Sequence, residues 1–309
     1  MNETLGQRIY RRLTDVPMWA LWVLVAIWAI PSFSLFVNSF RSRDDQQSQG
    51  FWTSFADPGQ FTTENYTEVL LTEGPTNLSN SVVSSLAIAV PATIIPIAFA
   101  AFAAYGFAWI DFKGREWLFI GTISLLAIPL QVALIPLLQT YVGGAHLTVP
   151  FTAKTVTLVP DLDLNTRGGI AVWLTHTGFA MPFSIFLLHN YISELPKEVM
   201  ESARIDGANH FTIFWRLVLP LSVPALAAFA IFQFLWTWND FLIASTMLSG
   251  GNNADLPTTV LIAQLAGNFG EFEHLLPAGA FIQAFVPLVV FFSLQRFFVR
   301  GLLAGSVKG

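Results

Sequence analysis

The sequence predicts an all-α membrane protein with six transmembrane helices and a cytoplasmic helix-turn-helix, on the strength of its composition, its apolar runs and the placement of its charges. Apolar residues make up 54% of the 309 and charged residues only 11%, with 29 Phe and 10 Trp. One water-soluble core cannot hide that much apolar surface. A bilayer core of about 30 Å needs roughly 20 mostly apolar helical residues per crossing. Six runs meet that need: Trp19 to Val37, Val82 to Trp109, Trp117 to Tyr141, Gly169 to Leu188, Leu221 to Leu248 and Ala278 to Phe298. Asp240 is the one strong charge in the interior of a run. Pro31, Pro91, Pro96, Pro129, Pro136, Pro182, Pro224 and Pro287 recur inside the runs. Membrane helices tolerate proline where neighbours satisfy the freed backbone groups, so kinked, packed helices are expected.

With six spans both ends lie on one side, and the Lys and Arg bias names it. Arg8, Arg11, Arg12, Lys113, Arg115, Lys197, Arg204, Arg216, Arg296, Arg300 and Lys308 fall on the side of the termini. Only Arg41, Arg43, Lys154 and Arg167 lie opposite, among eleven acidic residues such as Asp44, Glu64, Asp161 and Glu271. The termini are therefore expected in the cytoplasm of a multi-pass inner-membrane protein. A cleaved leader is the rival reading of the first run. Its apolar stretch exceeds the usual 7 to 15 residues or so, and Val37 to Phe40 offers no small-x-small cleavage site.

The chain then divides into a cytoplasmic N-terminal segment (1–16), a six-helix transmembrane domain (17–300) and a cytoplasmic tail (301–309). Leu5, Ile9 and Leu13, four apart, fit either an amphipathic surface helix or a solvated tail. The longest outward loop, 40–80, holds Phe51, Trp52, Phe55 and Tyr66 and is expected to fold with short helices over the outer mouth. The second, 143–168, alternates Val156, Leu158, Leu162 and Leu164 around Pro160, the pattern of a short hairpin. The third, 249–276, opens on Gly250, Gly251, Asn252 and Asn253, an adjustable finger or a plain solvated connector.

The inward loop 190–220 is the most strongly punctuated, reading NYISELPKEVMESARIDGANHFTIFWRLVLP. Ser193 is expected to cap a helix with Pro196 in its first turn. That helix runs through Glu201, Ala203 and Ile205 and stops at Gly207, where glycine enters the left-handed region at little cost. A second arm starts near Asn209 and carries Phe211, Ile213, Phe214, Leu217 and Val218, too apolar for a free surface. Small residues at Ser202, Ala203 and Gly207 admit a partner backbone, and Glu201 and Asp206 can meet basic residues. An ordinary hairpin between two spans also needs a cap and a glycine. The spacing is more specific. Glu201, Ser202, Ala203, three residues, Gly207, nine residues, Leu217, one residue, Leu219 and Pro220 resemble the EAA loop of ABC-importer permeases, which reads E-A-A, three residues, G, nine residues, I-x-L-P. Ser202 and Leu217 depart from it conservatively.

From the first span onward the chain resembles the smaller permease of the maltose-type, or carbohydrate-uptake, importers. FLWTWNDF (234–241), IPLQVALIPLLQ (128–139) and RGLLAGSVKG (300–309) carry that likeness. THTGFAMP (175–182) and LPLSVPAL (219–226) are similar to the α-glucoside branch in particular. The resemblance implies that the EAA loop is a coupling helix gripped by a separate ATPase. It implies a second homologous permease, an ABC ATPase dimer that binds ATP and Mg, an external solute-binding protein, a sugar substrate and surrounding lipid, with no nucleic acid and no cofactor in this chain. It also maps a binding-protein contact onto 250–256 and an ATPase contact onto 304–309.

Within the fifth run, Gln233, Trp236 and Asp240 are spaced i, i+3, i+7, and Asn239 stands beside the aspartate. A single helix would set the three on one face. An ionisable group at membrane depth is costly and faces a wet cavity or a bundle interior. The set is thus a candidate translocation path offering stacking and hydrogen bonds of the kind sugars use, or a structural polar cluster. Gln131, Gln139 and Gln283 are read as interhelical glue.

Other classes lack their marks. No glycine precedes Lys and then Ser or Thr, so there is no P-loop. His146, His176, His189, His210 and His274 show no metal spacing and build no nucleophile with base and orienter. The absence of cysteine rules out disulfides and thiolate sites. An ion-coupled secondary carrier should show several intramembrane charges and repeat symmetry. A scaffold or receptor leaves the hinged cytoplasmic knob without work, and a permease for a non-sugar solute remains the nearer alternative.

Overall fold

The first apolar run folds as α1 (Met18–Ser39), a helix of 22 residues that at 1.5 Å per residue spans about 33 Å, the scale of a bilayer core. Trp19, Trp22, Leu24, Ile27 and Trp28 along it are exposed, a face that suits lipid rather than water. This is a computed structural model, and it describes residues 17–148, 155–162, 164–248, 256–267 and 270–306. The N-terminal segment and the Gly250 to Asn253 finger lie outside the described residues.

The chain divides into two compact units, one of residues 1–76 with 265–281 and one of 77–264 with 282–309. In the first, α1 is followed by α2 (Arg43–Ser48), two short 3-10 turns and α3 (Glu64–Leu71), the short helices expected in the long outward loop. Arg41 organises them. It is fully buried, and its guanidinium donates to Gln60 Oε1 (3.0 and 3.2 Å), Asn38 Oδ1 (2.9 Å) and Asp45 O (2.9 Å). Its own carbonyl accepts from Asn65 Nδ2 at 2.8 Å. Neutral oxygens thus satisfy a buried cation.

The second unit holds α4 (Ser79–Trp109), α5 (Arg115–Ser124), α6 (Leu130–Gly143), strands β1 (Ala145–Thr148) and β2 (Thr155–Val159), and α7 (Leu164–Ser193). A hairpin is present in the second loop, though displaced from Pro160: β1 and β2 pair antiparallel, with Leu147 opposite Val156, while Pro160 follows β2 and Leu164 opens α7. Gly144 (φ +69) leads into the hairpin, where a Cβ would come 2.9 Å from Val159 O. Then come α8 (Lys197–Ile205), α9 (His210–Ile213), a π-turn over Phe214–Val218, α10 (Leu219–Leu221), α11 (Val223–Trp238), α12 (Leu242–Met247) and α13 (Thr258–Gly267). Last is α14 (Leu276–Ser306), which continues past residue 300, so the tail begins as helix.

Among the described residues four helices are long and apolar enough to cross a membrane, and up to six crossings result if each of two bent pairs is one span. The bent pairs amend the straight-run reading. The third run breaks at Ile128 and Pro129, where 115–127 and 130–143 differ by 100°. The fifth is helical over Val223–Trp238, meets the preceding arm at 71°, and is interrupted at Asn239 to Phe241 before α12.

Helices α4 and α7 pack against each other, and small residues are buried on both: Ser81, Ser85, Ala89, Ala92, Ala100 and Ala104 on one, Ala171, Ala180 and Ser184 on the other. Small side chains let helix backbones approach closely in lipid. Three of the helix prolines are compensated as well. Proline offers no N–H to the carbonyl four residues earlier, so Pro91, Pro96 and Pro287 free Ala87 O, Ala92 O and Gln283 O. Each accepts from another helix: Ala87 O from Trp173 Nε1 (3.0 Å), Ala92 O from Gln233 Nε2 (3.1 Å) and Gln283 O from Trp238 Nε1 (3.0 Å). Freed carbonyls and cross-helix bonds arise together.

Candidate functional site

The 190–220 loop forms a compact helix-turn-helix knob. Ser193 does not cap α8 as the sequence suggested; it ends α7, its hydroxyl turned back to His189 O at 2.6 Å. The cap position belongs to Pro196, whose fixed φ suits a helix entry without a side-chain oxygen. At the other end, Ala208 N donates to Ala203 O (2.9 Å) and Gly207 N to Arg204 O (3.0 Å). With Gly207 at φ +82, these two bonds make a Schellman turn. Asn209 then caps the second arm, accepting from Thr212 N at 2.9 Å. Gly207 does set the angle between arms, and Asn209 does start the second.

Two faces of the knob differ. Met200, Ile213, Phe214 and Val218 are buried in one apolar core with Ala100, Ala104, Tyr105, Ile185, Leu188 and Ile192, and Ala203, Leu217 and Leu219 pack against it. Glu201, Ser202, Asp206, Gly207 and Pro220 are exposed. So are two large apolar side chains, Ile205 at 86% and Phe211 at 68%. The knob therefore presents apolar side chains beside acidic ones on its exposed face.

The candidate path residues separate. Gln233 is buried and donates to Ala92 O and to Thr237 Oγ1 at 3.4 Å, which is the work of helix packing. Asn239 Nδ2 returns to Leu235 O at 2.9 Å. Trp236 is exposed, and the helix ends before Asp240, so the three do not form one helical face. Asp240 instead sits in the break of the fifth span, where its carboxylate accepts from Ile243 N (3.4 Å) and Ala244 N (3.0 Å) at the start of α12. Thr259 Oγ1 donates to Asp240 O at 2.8 Å.

One partner was not legible in the sequence. His176 of α7 is fully buried, with Nε2 3.6 Å from Asp240 Oδ2 and its ring edge-on to Trp236 at 5.1 Å. Neither ring nitrogen has a hydrogen-bond partner among the described residues. A lone histidine in an apolar run gave no pairing signal, because Asp240 comes from a distant helix. Beside it on α7, Thr175 donates to Tyr141 OH at 3.3 Å. Both line a mostly apolar pocket of about 390 Å³ in the elbow of the bent third span. Among the described residues no three His, Asp or Glu stand together as a metal site.

Comparison with known proteins gives this geometry its context. The sequence profile of the binding-protein-dependent transport system inner membrane components matches residues 97–304. The chain is 48% identical over 293 residues to the osmoprotective compounds uptake permease protein GgtD of Synechocystis sp., covering 94% of this chain and 90% of that one. It is 49% identical over 279 residues to the alpha-glucoside transport system permease protein AglG of Rhizobium meliloti, covering 88% and 68%. Its fold is similar to a chain of a bacterial ABC transporter involved in the import of the acidic polysaccharide alginate, with a TM-score of 0.70 at 19% identity over 96% of this chain and 99% of that one. An exposed knob with the EAA spacing, set among apolar spans, is thus found in a chain that belongs to the inner-membrane components of binding-protein-dependent transport systems, the permease subunits of ABC importers.

Proposed function

We propose that this chain is the smaller permease subunit of a sugar importer, and that its 190–220 loop carries the motion of a separate ATPase into the membrane helices. The observation that carries the reading is the knob itself: a glycine-set joint with Ile205 and Phe211 exposed at the spacing of an EAA loop. The Lys and Arg bias puts this loop and both termini in the cytoplasm. ATP and Mg then belong to a partner ATPase dimer, and this chain performs no catalysis. A second homologous permease completes the path, and an external solute-binding protein delivers the substrate.

The work is alternating access. Closure of the ATPase dimer draws the coupling loops together, the path opens outward to receive the solute, and hydrolysis resets it. Trp236 and Asp240 are the chain's contribution to the path, one as a stacking platform and the other as an acceptor for hydroxyl groups. Residues 250–256 reach the binding protein, and residues 304–309 meet the ATPase.

An oligosaccharide or α-glucoside is the substrate class supported by the name of the Rhizobium relative. The name of the Synechocystis relative, at nearly equal identity, favours a second reading, a small osmoprotective solute. Reconstitution of the chain with its ATPase, partner permease and binding protein in proteoliposomes tests both. The proposal expects ATP hydrolysis and uptake to rise with an α-glucoside and its binding protein. Stimulation by osmoprotective solutes alone selects the second reading, and no stimulation by any solute contradicts both.

A further inference from the structure

Phe102, Tyr105 and Trp109 stand three and four residues apart on α4 and so share one helical face. Together they meet both arms of the 190–220 loop. The Phe102 ring stacks on Phe214 with centroids 4.4 Å apart and lies edge-on to Trp215. Buried Tyr105 places its hydroxyl 2.8 Å from His210 Nδ1 and its ring against Phe214 at 5.5 Å. Trp109 O accepts from Arg204 Nη2 at 3.2 Å, and Trp109 Nε1 donates to Ile192 O at 3.0 Å.

The loop is covalently joined to α7 and α11 and not to α4. Its first arm is nonetheless tied to α4 by Arg204, its second by His210 and Phe214, and the end of α7 by Ile192. The Trp109 carbonyl belongs to the last turn of α4, where carbonyls lack intrahelical partners and the helix dipole favours a cation. Arg204 supplies both needs at once.

We propose that this aromatic ladder makes α4, the second span, the receiver of the knob's motion. The cytoplasmic end of α4 and the knob then move as one body. Farther along α4, Pro91 and Pro96 interrupt the helical hydrogen bonds, and their freed carbonyls are held by Trp173 and Gln233 instead. Packed helix below and proline-weakened helix above is the arrangement of a lever with its hinge in the membrane.

The inference rests on the coupling function proposed above, and its test separates the two. Solute uptake per ATP hydrolysed is measured on the complete reconstituted complex, normalised to assembled complex. Tyr105→Phe and His210→Ala are each expected to lower that ratio about fivefold, the scale of one lost hydrogen bond. The double variant should be no worse than the worse single one, because both remove the same link. His210→Asn, which offers an acceptor near the place of Nδ1, should recover much of the ratio. Unchanged ratios in both single variants, or losses that multiply in the double variant, overturn the receiver role while leaving the coupling loop intact. If these variants fail to assemble, Arg204→Met decides, since its exposed side chain lies outside the apolar core; an unchanged ratio there overturns the proposal. A native complex without solute-stimulated hydrolysis sinks the coupling function itself, and the ladder's role with it.

Discussion

The side-chain amide of Gln233 donates to the carbonyl of Ala92 at 3.1 Å, the same carbonyl that Pro96 deprives of its helical partner. Trp173 and Trp238 do likewise for the carbonyls freed by Pro91 and Pro287. In lipid no water can take that place, so the freed carbonyl and its donor form a unit. Three joints between helices are therefore written twice in the chain, once as a proline and once as a distant Trp or Gln.

Gln233→Met should leave Ala92 O unsatisfied and lower stability by about 1–3 kcal/mol. Adding Pro96→Ala returns an N–H at position 96 and should recover much of that loss. Thermal unfolding of the purified protein in detergent checks the pair. Additive losses would show that the amide and the proline are unrelated.

Gly207 lies at φ +82 with nothing within 4 Å of a would-be Cβ, so Gly207→Ala meets backbone strain but no clash, costing roughly 1–2 kcal/mol. Gly207→Pro is harsher, because proline cannot reach that φ and removes the N–H that bonds Arg204 O. Membrane insertion is expected to survive in both, with hydrolysis uncoupled from uptake far more in Gly207→Pro. Paired uptake and phosphate-release measurements decide, and normal uptake in Gly207→Pro would defeat the coupling role.

What could be read in advance was local. Gly207, Asn209 and the spacing to Pro220 sit close together in the chain, and short-range backbone chemistry dictates what they do. A hairpin does occur in 143–168, but only Val156 and Leu158 of the alternating set belong to it; Pro160 follows the second strand and Leu164 already opens α7. The break at Asn239 to Phe241 was hidden, because the apolar content of the run continues across it and only Asp240, read as a path residue rather than a helix cap, marked the place. Ser193 was misassigned for a related reason: hydroxyl caps are common, but α7 runs on through Ser193 and Pro196 can open a helix alone. Long-range partners were out of reach. Nothing near Trp173, Gln233 or His176 in the sequence says which carbonyl or carboxylate it will face, although a proline does say which carbonyl it frees.

Asp240 has two jobs that two substitutions should separate. Asp240→Asn keeps a capping oxygen for α12, whereas Asp240→Ala loses it at about 0.5–2 kcal/mol. Both should impair uptake if the carboxylate faces the solute, and only Asp240→Ala should also lower the melting temperature. Wild-type uptake by Asp240→Asn would reduce the residue to a cap.

Arg41→Ala removes five donors from the centre of the first unit and leaves Gln60, Asn38 and Asp45 O without them. A loss of about 2–4 kcal/mol is expected there. Limited proteolysis should cut between residues 43 and 76 much faster than in the native protein, and equal rates would show that the guanidinium is dispensable.

The central claim is that a motor protein grips the knob on the cytoplasmic side. The chain has no cysteine, and Ile205 is 86% exposed at the tip, so Ile205→Cys introduces its single thiol where contact is expected. In membrane vesicles carrying the whole transporter, a short thiol-reactive cross-linker should join this position to the ATPase subunit, with a yield that changes when ATP is added. Labelling of the same thiol from outside intact cells, or no ATPase adduct in vesicles that transport, would contradict the account.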